Sequence, residues 1–100
     1  MNPLSEEELK KELVKLEHWD VDNDHLVTVF EFENFAETMH FAQHVAELAE
    51  KHQHHPRMII DYDLLGIELS THDAGDKITQ KDVDLAHAID HLDKHHDEMH

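Results

Sequence analysis

Three helix-start signatures constrain this chain more than any other feature. Ser5-Glu6-Glu7-Glu8 is a capping box, in which the serine hydroxyl and the glutamate three residues on can each satisfy the other's backbone N–H. Leu9, Leu13 and Leu16 follow it at i, i+4, i+7, the spacing of one helix face. Asn34, with Glu37 three residues later, starts a second helix whose apolar positions are Phe35, Ala36, Met39, Ala42, Val45, Ala46 and Ala49, running to about Lys51. Thr79-Gln80-Lys81-Asp82 is another capping box, continued by Leu85, Ile89 and Leu92.

The intervals between the helices read as strands. From Leu26 to Phe32 the residues alternate, with Leu26, Thr28, Phe30 and Phe32 on one side and Val27, Val29 and Glu31 on the other. A short strand from His18 to Val21 can pair with this one across a turn at Asp22-Asn23-Asp24. Met58 to Asp63 and Ile67 to His72 predict a second hairpin turning near Leu64–Gly66, with Ile67, Leu69 and Thr71 on one face and Glu68, Ser70 and His72 on the other. The order α-β-β-α-β-β-α predicts an α+β two-layer sandwich, a four-stranded antiparallel sheet with three helices packed on one face. The other, more polar face would meet solvent, a ligand or a second subunit.

Length and composition set the limits. One hundred residues is one domain's worth, able to bury one modest core, so residues 1–100 are expected to form a single domain with a histidine-rich tail from about residue 91. The formal charge of −16, from 24 acidic and 8 basic residues, argues against direct binding of nucleic acid, which needs a basic surface. Protonating all 13 histidines would bring −16 to −3, so the charge depends steeply on pH. The acidity fits either adaptation to high salt, where screening relieves self-repulsion, or an ordinary acidic protein. No apolar run is long enough for a membrane helix, and MNPLSEEELKKEL lacks the features of a signal peptide. With no cysteine there is no disulfide, thiolate metal site or thiol nucleophile, and a cytoplasmic location is expected.

Chemistry concentrates in EKHQHHP, Glu50 to Pro56. Imidazole titrates near neutral pH, so His52, His54 and His55 are candidates for metal ligation, acid–base work or simple solvation. Pro56 fixes its own φ and biases His55 to extended geometry, holding the pair in one orientation. The second hairpin would bring His54, His55 and His72 together at one end of the sheet. A second set, His87, His91 and His95 at i, i+4, i+8 with His96 and His100 beyond, has spacing that can hold zinc, nickel or copper, or forms a solvated helix face.

Glu50, His54-His55-Pro56, Tyr62, Thr71-His72-Asp73-Ala74-Gly75 and Asp82 together resemble the signature of the pterin-4a-carbinolamine dehydratases, also called 4a-hydroxytetrahydrobiopterin dehydratases. The resemblance extends to Trp19, Phe30-Glu31-Phe32 and Asp84-Leu85-Ala86 and covers nearly the whole chain. It implies loss of water from a 4a-hydroxytetrahydropterin to give a quinonoid dihydropterin, in tetrahydrobiopterin recycling, with no metal or organic cofactor. It implies assembly as a homodimer or homotetramer and a functional link to an aromatic amino acid hydroxylase. His54, His55 and Pro56 would line the pterin site on one side, and Thr71, His72, Asp73 and Ala74 on the other. His54 and His72 would form the acid–base pair, and His55 would assist. Glu50 would orient a histidine or bond the pterin. Tyr62 would serve packing or ligand contact, Asp82 primarily the helix cap, Trp19 the core, and His52 only solvent. Where many relatives carry an aromatic residue two positions after the proline, this chain has Met58, and its loop from Asp73 to Thr79 is one residue longer. The same fold also implies a second reading, a non-catalytic dimerisation or assembly protein. A third is a histidine-rich metal binder.

Overall fold

The computed structural model describes residues 2–94. Its order is α1 (Glu6–Lys15), β1 (Asp20–Asp22), β2 (His25–Glu31), α2 (Phe35–His52), β3 (Arg57–Asp61), β4 (Leu64–Leu69), a 3-10 turn (His72–Ala74) and α3 (Gln80–Lys94). The strands form one antiparallel sheet in the order β1-β2-β4-β3, and the helices cover one face, so the fold is the expected α+β sandwich.

The caps act as their spacing predicts. Ser5 Oγ accepts from Glu8 N–H at 3.2 Å while Ser5 N–H donates to Glu8 Oε1 at 3.0 Å, holding the Glu8 carboxyl below its ordinary value. Asn34 Oδ1 accepts from Glu37 N–H at 2.8 Å. The buried face of α2 differs from the predicted one. It is Thr38, Phe41, Ala42, Val45 and Ala49, while Phe35 and Met39 stay 50% and 41% exposed. Thr38 turns inward at no polar cost, because its hydroxyl donates to Asn34 C=O at 2.9 Å. Phe41, fully buried, packs between Phe30 and Phe32 with ring centroids 5.2 and 5.1 Å apart.

Both hairpins shift from their predicted registers. In the first, Asp22 pairs with His25, leaving Asn23 and Asp24 as a two-residue turn at φ 51° and 63°. Positive φ at both central positions is the type I′ geometry that matches the strand twist, and Asn and Asp tolerate it best among the L residues. In the second, Asp61 pairs with Leu64, so the turn is Tyr62-Asp63 and not Leu64–Gly66. Gly66 is a strand residue between Val29 and Ile59. Strand β4 also stops at Leu69, so His72 does not end a strand but opens the 3-10 turn.

Leu26, Thr28, Phe30, Leu65, Ile67 and Leu69 face the helices and are buried, whereas Val29 and Ile59 on the other face are 64% and 43% exposed. Trp19 joins the core at 3% exposed, and its indole N–H donates to Asp90 Oδ1 at 2.8 Å. Burial pushes the Asp90 carboxyl above its ordinary value, and Asp93 adds to this. The Trp19 bond, His18 and His87 offset only part of it. A carboxyl raised on folding favours the folded state while protonated, and that contribution is lost as pH rises through the raised value. Asp90→Asn keeps an acceptor for the indole without a charge to bury. Its melting temperature at neutral pH is expected to equal or exceed that of wild type, with the advantage shrinking toward about pH 4, the ordinary Asp range. Thermal melts across that range test this, and a lower neutral-pH midpoint for the variant contradicts it.

Candidate active site

The site forms where α2 gives way to β3. Gln53 takes the left-handed conformation at φ 49°, and its N–H and that of His54 close the helix on Glu50 and Ala49 carbonyls at 3.2 and 3.1 Å. This reversal turns His54 inward, to 9% exposed, while His55 stays outside. Arg57 pairs with Glu68, so the residues just before β3 run beside those just after β4. Thr71 is fixed there, with its N–H donating to Lys77 C=O at 2.8 Å and its C=O accepting from Ala74 and Asp76 N–H at 3.0 and 3.1 Å. Lys77 in turn pairs with Asp24 in the β1–β2 turn at 2.6 Å, which holds the Asp24 carboxyl below its ordinary value.

The result is a cleft of about 300 Å³ lined by Gln53, His54, His55, Ser70, Thr71, His72, Asp73 and Lys81, within the size range of small-molecule sites. Each of its histidines has a carboxylate partner. His54 Nε2 lies 2.5 Å from Asp82 Oδ1, His55 Nε2 lies 3.3 Å from Glu50 Oε1, and His72 Nδ1 lies 3.1 Å from Asp76 Oδ1. Burial separates the three pairs. The His54 and Asp82 side chains are 10% and 0% exposed, against 68% and 77% for His55 and Glu50 and 91% and 61% for His72 and Asp76. Exposed pairs of this kind are worth about 0–1 kcal/mol and hold a ring only loosely. The buried pair fixes its imidazole and can stabilise an imidazolium formed during reaction.

Asp82 is the cap residue the sequence predicts and something more. Its Oδ2 accepts Thr79 N–H at 2.9 Å, completing the start of α3, and also accepts the Thr71 hydroxyl at 2.9 Å. The Thr79 hydroxyl accepts Lys81 N–H at 3.2 Å and meets the Thr71 hydroxyl at 2.7 Å. One buried carboxylate therefore joins a helix cap to a cleft histidine.

The remaining predicted positions sit further out. Glu50 reaches the site only through His55, and Pro56 and Ala74 do not line the cleft. Tyr62, 63% exposed in the β3–β4 turn, sits at the far end of the hairpin, and within the chain it is not brought to the cleft. His52 is exposed, as expected. His87 Nε2 lies 3.3 Å from Glu12 Oε2, His95, His96 and His100 fall outside the described residues, and no cluster of three metal-binding side chains occurs among the described residues. Sequence reasoning missed Lys81, Ser70 and Gln53 as cleft residues.

The family model described as Pterin 4 alpha carbinolamine dehydratase matches residues 2–92. The chain belongs to the pterin-4α-carbinolamine dehydratase family. Three relatives, each named "Putative pterin-4-alpha-carbinolamine dehydratase", show how evenly the likeness to this family is spread. The protein from Natronomonas pharaonis is 44% identical over 89 residues, 89% of this chain and 94% of its own. That from Chloroflexus aurantiacus is 41% identical over 92 residues, 92% and 98% of the two chains. That from Aquifex aeolicus is 40% identical over 91 residues, 91% of each. A crystal structure of a transcriptional coactivator/pterin dehydratase from Brucella melitensis superposes with a TM-score of 0.85 at 27% identity, covering 91% of this chain and 98% of that one. A pterin dehydratase-like protein identified as a RuBisCO assembly factor in the alpha-carboxysome shares the fold at a TM-score of 0.60 and 21% identity, over 74% and 84% of the chains. Among the described residues no helix is long and apolar enough to cross a membrane.

Proposed function

We propose that the cleft dehydrates a 4a-hydroxytetrahydropterin, such as 4a-hydroxytetrahydrobiopterin, to the quinonoid dihydropterin and water. The observation that carries this reading is the buried His54–Asp82 pair in a cleft that also holds His55 and His72. The C4a–O bond breaks as the hydroxyl leaves with a proton delivered by an acid. The N5–H bond breaks as a base takes that proton, and the electron pair left on N5 becomes the N5=C4a double bond. Imidazole serves both steps near neutral pH, and each well-placed transfer is worth about 10²–10⁴ in rate. His54 and His72 carry the two transfers and His55 positions the pterin. Asp73 and Lys81 supply polar contacts to the ring from the opposite wall, and Thr71, whose N–H, C=O and hydroxyl are all engaged within the protein, shapes that wall.

The substrate arises where an aromatic amino acid hydroxylase oxygenates a tetrahydropterin, so the reading places this protein downstream of such an enzyme, in cofactor recycling within the cytoplasm. Self-association as a dimer or tetramer belongs to the same reading. It is supported by the exposed Phe35 and Met39 on α2 and by Ile59 and Ile60, 43% and 40% exposed on the edge strand β3. Those same residues favour the second reading, an assembly role for the α2 face that needs no chemistry. Decay of enzymatically generated 4a-hydroxytetrahydropterin separates the two. The dehydratase reading expects decay that speeds in proportion to protein concentration, and the assembly reading expects the buffer rate.

A further inference from the structure

The hydrogen bonds behind His54 run in only one direction. Lys81 N–H can only donate, and it donates to Thr79 Oγ. If Thr79 then donates to Thr71, the Thr71 hydroxyl hydrogen goes to Asp82 Oδ2 and every group is satisfied. The opposite polarity would make Asp82 donate to Thr71 and Thr71 to Thr79. The Thr79 hydroxyl hydrogen would then have no acceptor among the described residues, on a side chain that is 0% exposed. An unmade bond of that kind costs about 1–3 kcal/mol, so the first polarity wins. Thr79 N–H, another obligate donor, also ends on Asp82 Oδ2. The carboxylate is thus an acceptor, and its other oxygen faces His54 Nε2. His54 Nδ1 has no hydrogen-bond partner among the described residues.

We infer that Thr79 and Thr71 are positioning residues, whose hydroxyl relay into Asp82 holds His54 as the Nε2–H tautomer and leaves its Nδ1 lone pair free as the base for the substrate N5–H. The role assigned to that lone pair rests on the dehydratase reading. The tautomer itself does not. With His54 as base, the acid that protonates the departing hydroxyl is His72, whose Nδ1 is occupied by Asp76 and whose Nε2 remains to donate. The relay also dictates what an amide would do in place of Asp82. Its carbonyl must take the two donors from Thr71 and Thr79, so its NH₂ faces His54 Nε2 and drives the proton to Nδ1.

The test is long-range ¹H–¹⁵N correlation of the full chain labelled at histidine, with the His54 signals assigned by their loss in His54→Gln, alongside stopped-flow dehydration. Wild type is expected to show His54 protonated at Nε2. Asp82→Asn is expected to show it protonated at Nδ1, with kcat down roughly 10³-fold and KM nearly unchanged, since an imidazole base in the wrong tautomer loses most of its effect. Thr71→Val is expected to lose about tenfold in kcat and Thr71→Ser, which keeps the hydroxyl, to regain most of it. A wild-type His54 protonated at Nδ1 overturns the inference whether or not the variants fold. So does an Asp82→Asn protein that keeps the wild-type tautomer. If wild type shows Nε2–H but leaves dehydration at the buffer rate, the relay stands and the dehydratase reading falls.

Discussion

Replacing His54 with alanine is expected to lower kcat/KM for 4a-hydroxytetrahydropterin dehydration by about 10²–10⁴, the usual worth of a positioned acid–base group. No other histidine replaces it. His55 and His72 are paired to exposed carboxylates that hold their rings weakly, whereas His54 is nearly buried against a fully buried one. The alanine variant also strips one donor from Asp82, which costs folding stability of about 1–3 kcal/mol. His54→Gln separates the two effects. Its amide can still donate to Asp82, so it should melt close to wild type, yet it cannot accept and hold a proton and should be as inactive as alanine. Steady-state rates and thermal melts of both variants check this. A glutamine variant within tenfold of wild-type activity would remove His54 from the chemistry.

The largest stability loss is expected from Phe41→Ala. Phe41 is fully buried and packs against both Phe30 and Phe32, so its removal opens a cavity between α2 and the end of β2. Large-to-small aromatic replacements in such sites cost about 3–5 kcal/mol. In a domain of this size that lowers the melting temperature by well over ten degrees, at about 4–8 °C per kcal/mol. Denaturant titration gives the free energy directly, and a loss below about 1 kcal/mol would mean that the core repacks around the gap.

The contrast between these two residues shows what a sequence displays. Helix starts were legible because a cap is local, as Ser5 with Glu8 and Asn34 with Glu37 bond across three residues. Strand faces were legible because alternation is local too, and Leu26, Thr28 and Phe30 turned inward together. Phe41 is not legible as a core position, since α2 carries two apolar stripes and only packing decides between them. Thr38 joined the buried one because its hydroxyl is satisfied within the helix. Gly66 misleads for a related reason. Glycine signals a turn by its own preference, but here the tight turn fell on Tyr62-Asp63 and the glycine stayed in a central strand. In the candidate site, the convergence of His54, His55 and His72 followed from hairpin geometry. The weight carried by Asp82 did not. Its cap bond to Thr79 spans three residues, but its bond to His54 spans 28 and is visible only once the chain has folded.

The most direct test of this account is stopped-flow absorbance of 4a-hydroxytetrahydropterin, generated in situ, decaying with wild type, with His72→Ala or with buffer alone. The account predicts that wild type accelerates the decay in proportion to its concentration and that His72→Ala loses most of that acceleration. Decay at the buffer rate with folded wild type would contradict the account at its centre and leave the α2 surface, not the cleft, as the part of this molecule that works.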